Sequence, residues 1–101
     1  MDEFRTIDEI KAHCDQVFID APPLKVESDI VAPPSGTPRT YRLVVYLMAP
    51  AMPEIISPLR TRLEQIKNHA LTSGRFNVRT QYGRVEPVGY HFELYASTLN
   101  P

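Results

Sequence analysis

Hydrophobic residues near the N-terminus recur at the spacing of an amphipathic helix. The stripe consists of Ile7, Ile10, Cys14, Val17 and Phe18. It predicts a first helix over about residues 7 to 18. Thr6 and Glu9 have the spacing of a capping box, in which the threonine hydroxyl accepts a hydrogen bond from a helix amide. The proline pair at positions 22 and 23 ends the helix, because proline has no N–H to donate.

Alternating apolar and polar residues predict two strands after this helix. The first lies near residues 24 to 31, where Leu24, Val26 and Ile30 share a face. Residues 32 to 38, APPSGTP, contain three prolines and a glycine, so we expect an exposed proline-rich loop over 32 to 39. Residues 40 to 48, TYRLVVYLM, carry apolar side chains on both faces, which is typical of a central strand.

Helical spacing returns in the middle of the chain. The apolar stripe consists of Leu59, Leu63, Ile66 and Ala70. We expect the second helix to begin with Ser57 as N-cap and Pro58 as its first residue, where the missing N–H costs nothing. The preceding MPEII segment is interpreted as an irregular turn. Gly74 is a natural C-terminal stop.

The last quarter of the chain has the pattern of a β-hairpin. Residues 86 to 89 suit a type I turn, with proline second and glycine fourth. Val85 is expected to oppose Tyr90. Tyr82 and Val85 should both face inward although their positions differ in parity, so a bulge is predicted at Gly83. The predicted inner face is Phe76, Val78, Thr80, Tyr82, Val85, Tyr90, Phe92, Leu94 and Ala96. The predicted outer face is Arg75, Asn77, Arg79, Gln81, Arg84, His91, Glu93, Tyr95 and Ser97.

These elements predict one α+β domain over residues 1 to 101. We expect a small mixed or antiparallel four-stranded sheet with two helices packed on one face, in the order α-β-β-α-β-β.

Composition narrows the functional classes. The single cysteine among 101 residues excludes an internal disulfide and a multi-cysteine zinc site. No apolar run reaches the roughly 18 residues of a membrane helix, and the acidic start MDEFRTIDEI lacks the pattern of a secretory signal. A cytoplasmic protein with no membrane partner is therefore expected.

Charge is distributed unevenly along the chain. Residues 1 to 30 hold eight acids and three bases, a sum of −5, whereas the remainder holds eight bases and four acids, a sum of +4. This asymmetry can pair one subunit with the next. Alternatively, the two halves neutralise each other within one compact domain.

The sequence carries no catalytic signature. Cys14 lies on the apolar face of the first helix, where a thiol acts as a small hydrophobe. His13, His69 and His91 fall on three different elements, and the four glycines form no phosphate-binding loop. The protein is accordingly predicted not to be an enzyme and to have no catalytic, metal or cofactor site.

The outer face of the sheet is the main candidate for function, because it collects arginines and tyrosines. The candidate interaction residues are Arg42, Tyr46, Arg75, Arg79, Arg84, His91 and Tyr95. Arginine and tyrosine are enriched at protein–protein hot spots. They also suit stacking on single-stranded RNA. An antiparallel sheet with one wet face also shows arginines there by default.

Two resemblances accompany this face. From residue 40 onward, the order of elements resembles that of ferredoxin-like proteins that bind RNA, although their aromatic RNA motif is absent from RFNVRTQYGRV and the pI is near 6.3. The element order and the long loop are also similar to small α/β proteins of phage tail ends and necks. That resemblance implies a ring-forming structural protein of the kind found in viruses.

The expected function is a non-enzymatic protein-interaction or assembly module that forms homo-oligomers. The first alternative is an RNA-binding sheet domain. The second is a regulatory domain that binds a small ligand in a cleft beside the sheet.

Overall fold

Two helices and four strands follow one another in the predicted order. The computed structural model describes residues 3 to 32, 34, 39 to 47, 53 to 84 and 89 to 99. The elements are α1 (Ile7–Val17), β1 (Leu24–Val31), β2 (Thr40–Leu47), α2 (Pro53–Thr72), β3 (Phe76–Arg84) and β4 (Tyr90–Thr98). The proline-rich loop lies largely outside the described residues.

The four strands form one antiparallel sheet in the order β1-β2-β4-β3. Strands β2 and β3 therefore run in the same direction with β4 between them, and α2 connects them. This is the split β-α-β arrangement of ferredoxin-like folds. The predicted α+β class is confirmed, and the antiparallel form of the sheet is the one observed.

Both helices pack on the same face of the sheet. Helix α1 contacts β1 and β2, and α2 contacts mainly β3 together with β4. The predicted stripe of α2 is buried throughout, with Leu63 and Ala70 fully inaccessible to solvent. Tyr41 and Phe92 are the largest side chains buried between the layers. One hydrophobic core thus joins both helices to the sheet.

The start of α1 matches its predicted cap. The amide of Glu9 donates to Oγ1 of Thr6 at 3.2 Å. On the inward face, Cys14 is fully buried, and burial raises the pKa of its thiol to about 12. A thiol that stays protonated is a poor nucleophile. The position of Cys14 therefore agrees with a packing role.

Helix α2 begins at Pro53, so the predicted start at Ser57 is wrong. The N1 preference of proline, used to place Pro58, applies equally to Pro53, and Glu54 then lies in the first turn, where an acid is favoured. Pro58 consequently lies inside the helix. It has no N–H to donate to the carbonyl of Glu54 four residues earlier.

The bulge predicted at Gly83 is absent. Strand β3 pairs regularly with β4 to its end, where Gly83 faces His91 and Arg84 faces Tyr90. A methyl group on Gly83 would lie 2.5 Å from Cε1 of His91. Gly83 thus provides room for an imidazole ring on the neighbouring strand. Val85 and residues 86 to 88 of the predicted turn lie outside the described residues.

Candidate interaction surface

The outer face of the sheet is the side turned away from both helices. The register assigns to it the odd-numbered residues of β1, β3 and β4 and the even-numbered residues of β2. Paired residues of an antiparallel ladder share a face, so side chains form rows across the four strands. One such row is Asp29, Arg42, Tyr95 and Arg79.

Tyr95 is the centre of this row. The guanidinium carbon of Arg79 lies 4.5 Å from the centroid of the Tyr95 ring, the geometry of a cation–π contact. Arg42 approaches the tyrosine hydroxyl from the other side, and this contact is the main cause of a raised pKa for Arg42. Arg42 also lies 3.7 Å from Glu27 and 4.0 Å from Asp29. Two arginines are thus held on either side of one tyrosine.

Glu93 connects the next row to Tyr95. The hydroxyl of Tyr95 donates to Oε1 of Glu93, and this hydrogen bond is the largest cause of a raised pKa for Tyr95. The other carboxylate oxygen, Oε2, lies 3.2 Å from Nε2 of His91. His91 itself occupies the space above Gly83. The network therefore extends from the edge strand β3 across β4 to β2.

Val44 shows that these side chains form a closed layer. It lies on the outer face, between Glu27 and Glu93 in its row, yet only 2% of its surface is exposed. No helix packs there among the described residues. The neighbouring long side chains must therefore cover it, and the outer face is an ordered surface, not a row of free side chains.

Five of the seven predicted interaction residues share this face. They are Arg42, Tyr46, Arg79, His91 and Tyr95. The predicted outer-face position of Arg84 is wrong, and Arg75 lies just before β3, outside the paired strands. Arg84 pairs with Tyr90 on the helix side, with its guanidinium carbon 5.9 Å from that ring, because no bulge shifts the parity of β3.

Arg75 precedes β3 and contacts the N-terminal segment. Its guanidinium lies 3.4 Å from a Glu3 oxygen and donates to the carbonyl of Phe4 at 3.2 Å. Its role is then to fasten the segment before α1 to the start of β3.

The outer face carries no excess of positive charge. Its acids are Glu27, Asp29 and Glu93, and its fully charged bases are Lys25, Arg42 and Arg79. The formal charge is zero with His91 neutral. Sequence reasoning missed Glu27 and Asp29 as members of this surface, because only the pairing of β1 with β2 places them beside Arg42. Glu93 lies on the outer face as the sequence predicted.

The charge asymmetry along the chain is partly compensated inside the molecule. Two oxygens of Asp8 accept from Arg39 at 3.0 and 3.2 Å, and this bond lowers the pKa of Asp8. Glu3 pairs with Arg75, and Glu27 with Arg42. In each pair, the acid comes from residues 1 to 30 and the base from the remainder.

A groove between the two helices is a second concave feature. It has a volume of about 480 Å³ and is lined by His13, Val17, Arg62, Gln65, Ile66 and His69. Phe4 contacts both histidine rings edge-on, with centroids 5.5 Å from His13 and 5.0 Å from His69. Burial, followed by the proximity of His69, lowers the pKa of His13. If the protein binds a small ligand, this groove is the candidate binding site.

The described residues include no group of three or more histidine, cysteine, aspartate or glutamate side chains close enough to hold a metal ion. None of the described helices combines the length and apolar character needed to cross a bilayer. Comparisons with protein-family models, curated proteins and solved structures found no match for this chain.

Proposed function

We propose that this protein is a non-enzymatic assembly module that associates with its own copies through the outer face of its sheet. The observation that carries the proposal is the ordered Arg42–Tyr95–Arg79 cluster on a face that no described helix covers. Arginine and tyrosine contribute strongly to binding when they lie at the centre of a contact.

The order of this cluster favours binding of a protein surface. Association costs free energy for each flexible side chain that becomes fixed. Arg79 is already stacked on Tyr95, and Tyr95 is already bonded to Glu93. These side chains would lose little further freedom on contact. A neutral face of opposite charges can also meet an identical neutral face without net repulsion.

The same charge balance gives less support to RNA binding. Nucleic-acid surfaces carry an excess of free cations that neutralise phosphates. Here Arg42 is shared between two carboxylates, and Arg79 stacks on Tyr95. The small-ligand alternative is supported by the interhelical groove, whose volume falls within the range of known pockets.

Charge reversal at Arg79 tests the proposed surface. Arg79→Glu removes the contact with Tyr95 and brings a second carboxylate near that of Glu93. We expect self-association to weaken about tenfold or more, as for a hot-spot residue. Light scattering over a concentration series measures it. Arg62→Glu, a charge reversal on the helix side, is the matched control and should leave association unchanged.

The outcomes separate the alternatives. Association that is equal in wild type and Arg79→Glu would exclude this part of the outer face. A wild-type chain that is monomeric at every concentration would overturn self-association. A rise in melting temperature on adding metabolites would instead favour the interhelical groove as the functional site.

A further inference from the structure

Strand β3 is the last strand of the sheet, and no described element pairs with its outward side. The amide of Leu99 donates to the carbonyl of Arg75 at 3.0 Å, and the ladder continues from this pair in the same register. The backbone groups of the odd-numbered residues of β3 therefore form the hydrogen bonds to β4. The N–H and C=O groups of the even-numbered residues, 76 to 84, therefore point away from the sheet. Among the described residues, no backbone hydrogen bond outside the β3–β4 ladder reaches them. Such an edge is a template for another strand.

The opposite edge, β1, is partly closed by the chain itself. The amide of Leu24 donates to the carbonyl of Ala21 at 2.8 Å, and the amide of Val26 donates to Oδ1 of Asp20 at 2.9 Å. Lys25, Glu27 and Asp29 also place charges along the outer side of this strand. Charged residues and occupied amides protect an edge against pairing. Strand β3 carries two arginines, Arg79 and Arg84, but among the described residues nothing bonds to its outward amides.

The sequence of β3 is complementary to itself in one antiparallel register. With Thr80 on a two-fold axis, the pairs on the helix side are Thr80 with Thr80, Val78 with Tyr82 and Phe76 with Arg84. The outer pairs are Arg79 with Gln81 and Asn77 with Gly83. No like charges lie directly opposite each other in this register. All nine residues take part.

The neighbouring registers are less favourable. A shift that places Arg79 on the axis sets two arginines opposite each other, which destabilises the pair. A shift that places Gln81 on the axis leaves part of β3 unpaired. In the register centred on Thr80, the Arg79 guanidinium leans over Tyr95 of β4, away from the seam.

We infer that two copies of this chain join through antiparallel pairing of their β3 edges about Thr80, which creates a continuous eight-stranded sheet. The inference rests on the proposed self-association and specifies one of its contacts. A two-fold contact of this kind is isologous, since the same surface serves both copies. It brings the two outer faces into one surface, with the Arg79–Tyr95 cluster of each copy on either side of the seam.

Cysteine cross-linking reads the register directly. In Thr80→Cys, paired Cα atoms at a hydrogen-bonded site are about 5.5 Å apart, within the roughly 4.4 to 6.8 Å that a disulfide spans. Mild oxidation should therefore yield a covalent dimer. Gln81→Cys and Asn77→Cys are the matched controls, because their own copies are offset by two and six residues in this register. Native Cys14 is fully buried and should not compete.

Removal of one backbone donor tests the hydrogen bonds of the seam. Thr80→Pro lacks the outward amide, and proline is tolerated on an edge strand. Thr80→Val keeps the amide and, like proline, loses the 3.1 Å hydrogen bond from Thr80 to Glu64. We expect Thr80→Pro to be monomeric and Thr80→Val to stay associated. Circular dichroism of both variants verifies that they fold.

Each result has one meaning. Strong cross-linking at Thr80→Cys with a monomeric Thr80→Pro supports the seam. Stronger cross-linking at position 77 or 81 overturns the register. If Thr80→Pro stays associated while Arg79→Glu dissociates, the β3 seam is wrong and the outer-face proposal stands. A monomeric wild type removes both.

Discussion

At the scale of single residues, the His91 ring and the missing side chain of Gly83 depend on each other for space. The register places them opposite each other on the outer face, and the imidazole lies where a side chain at position 83 would be. His91 is held there within 3.2 Å of Glu93. Glycine is therefore required at position 83 because it has no side chain, and not because of its backbone conformation. Gly74 contrasts with it, because its φ of +73° favours glycine although no atom lies within 4 Å of the place that a Cβ would take.

Gly83→Ala should destabilise the protein by about 1 to 2 kcal/mol, because the ring must rotate away from Glu93. The double variant with His91→Ala should recover most of this loss, since the clash is then gone. Gly74→Ala should also cost about 1 kcal/mol, from its backbone conformation, and His91→Ala should not rescue it. Urea unfolding measures the three single variants and the two double variants. Simple additivity of Gly83→Ala with His91→Ala would contradict the steric explanation.

Helix α2 shows, at the scale of an element, how tertiary contacts fix one face of a helix. Its buried stripe rests on the sheet, and Glu64 reaches β3 from the flank. Glu64 accepts hydrogen bonds from Thr80 at 3.1 Å and from Tyr82 at 2.6 Å. The bond from Tyr82 is the main cause of a lowered pKa for Glu64. Arg60 lies above the same tyrosine ring, 4.9 Å from its centroid.

The first turns of α2 give a test of where the helix begins. Because the helix starts at Pro53, Ser57 is exposed within it and does not act as a cap. Ser57→Ala should leave stability unchanged or raise it by up to about 0.5 kcal/mol. Pro58→Ala should raise stability by about 1 kcal/mol, because the amide can then bond to Glu54. Denaturant unfolding measures both. A loss of about 1 kcal/mol in Ser57→Ala would indicate a cap at Ser57.

At the scale of the whole molecule, folding joins an acidic N-terminal part to a basic remainder. The pairs Asp8–Arg39, Glu3–Arg75 and Glu27–Arg42 connect segments far apart in sequence. Exposed pairs of this kind each contribute little to stability. Because these pairs neutralise opposite charges within one molecule, fewer unpaired charges remain to attract a second copy. Contact between copies should then depend on backbone pairing and packed side chains.

The mass of the assembly in a salt series tests this view. Backbone hydrogen bonds and stacked rings are screened far less than exposed charges, whose interactions fade beyond about 10 Å at 0.1 M salt. We expect the mass measured by light scattering to stay constant as salt increases. An assembly that dissociates progressively with salt would instead show that the acidic part of one copy holds the basic part of another.

The periodicity of the sequence was enough to predict six elements, their order and most of the core-facing residues. These features depend on local periodicity, caps and turns. Thr6, the stripe of α2 and the alternation in β2 each express such a local rule. The boundary of α2 was missed because two prolines, Pro53 and Pro58, satisfy the same local rule. Only packing selects between them.

The final membership of the outer face, in contrast, depends on how the strands pair. Which residues of β3 face the helices depends on its register with β4. Because Gly83 pairs regularly with His91, the next residue, Arg84, lies on the helix side. Glu27 and Asp29 lie beside Arg42 because β1 pairs with β2. Strand order also decides which edge stays open. Such relations join residues distant along the chain, and local patterns hold no information about them.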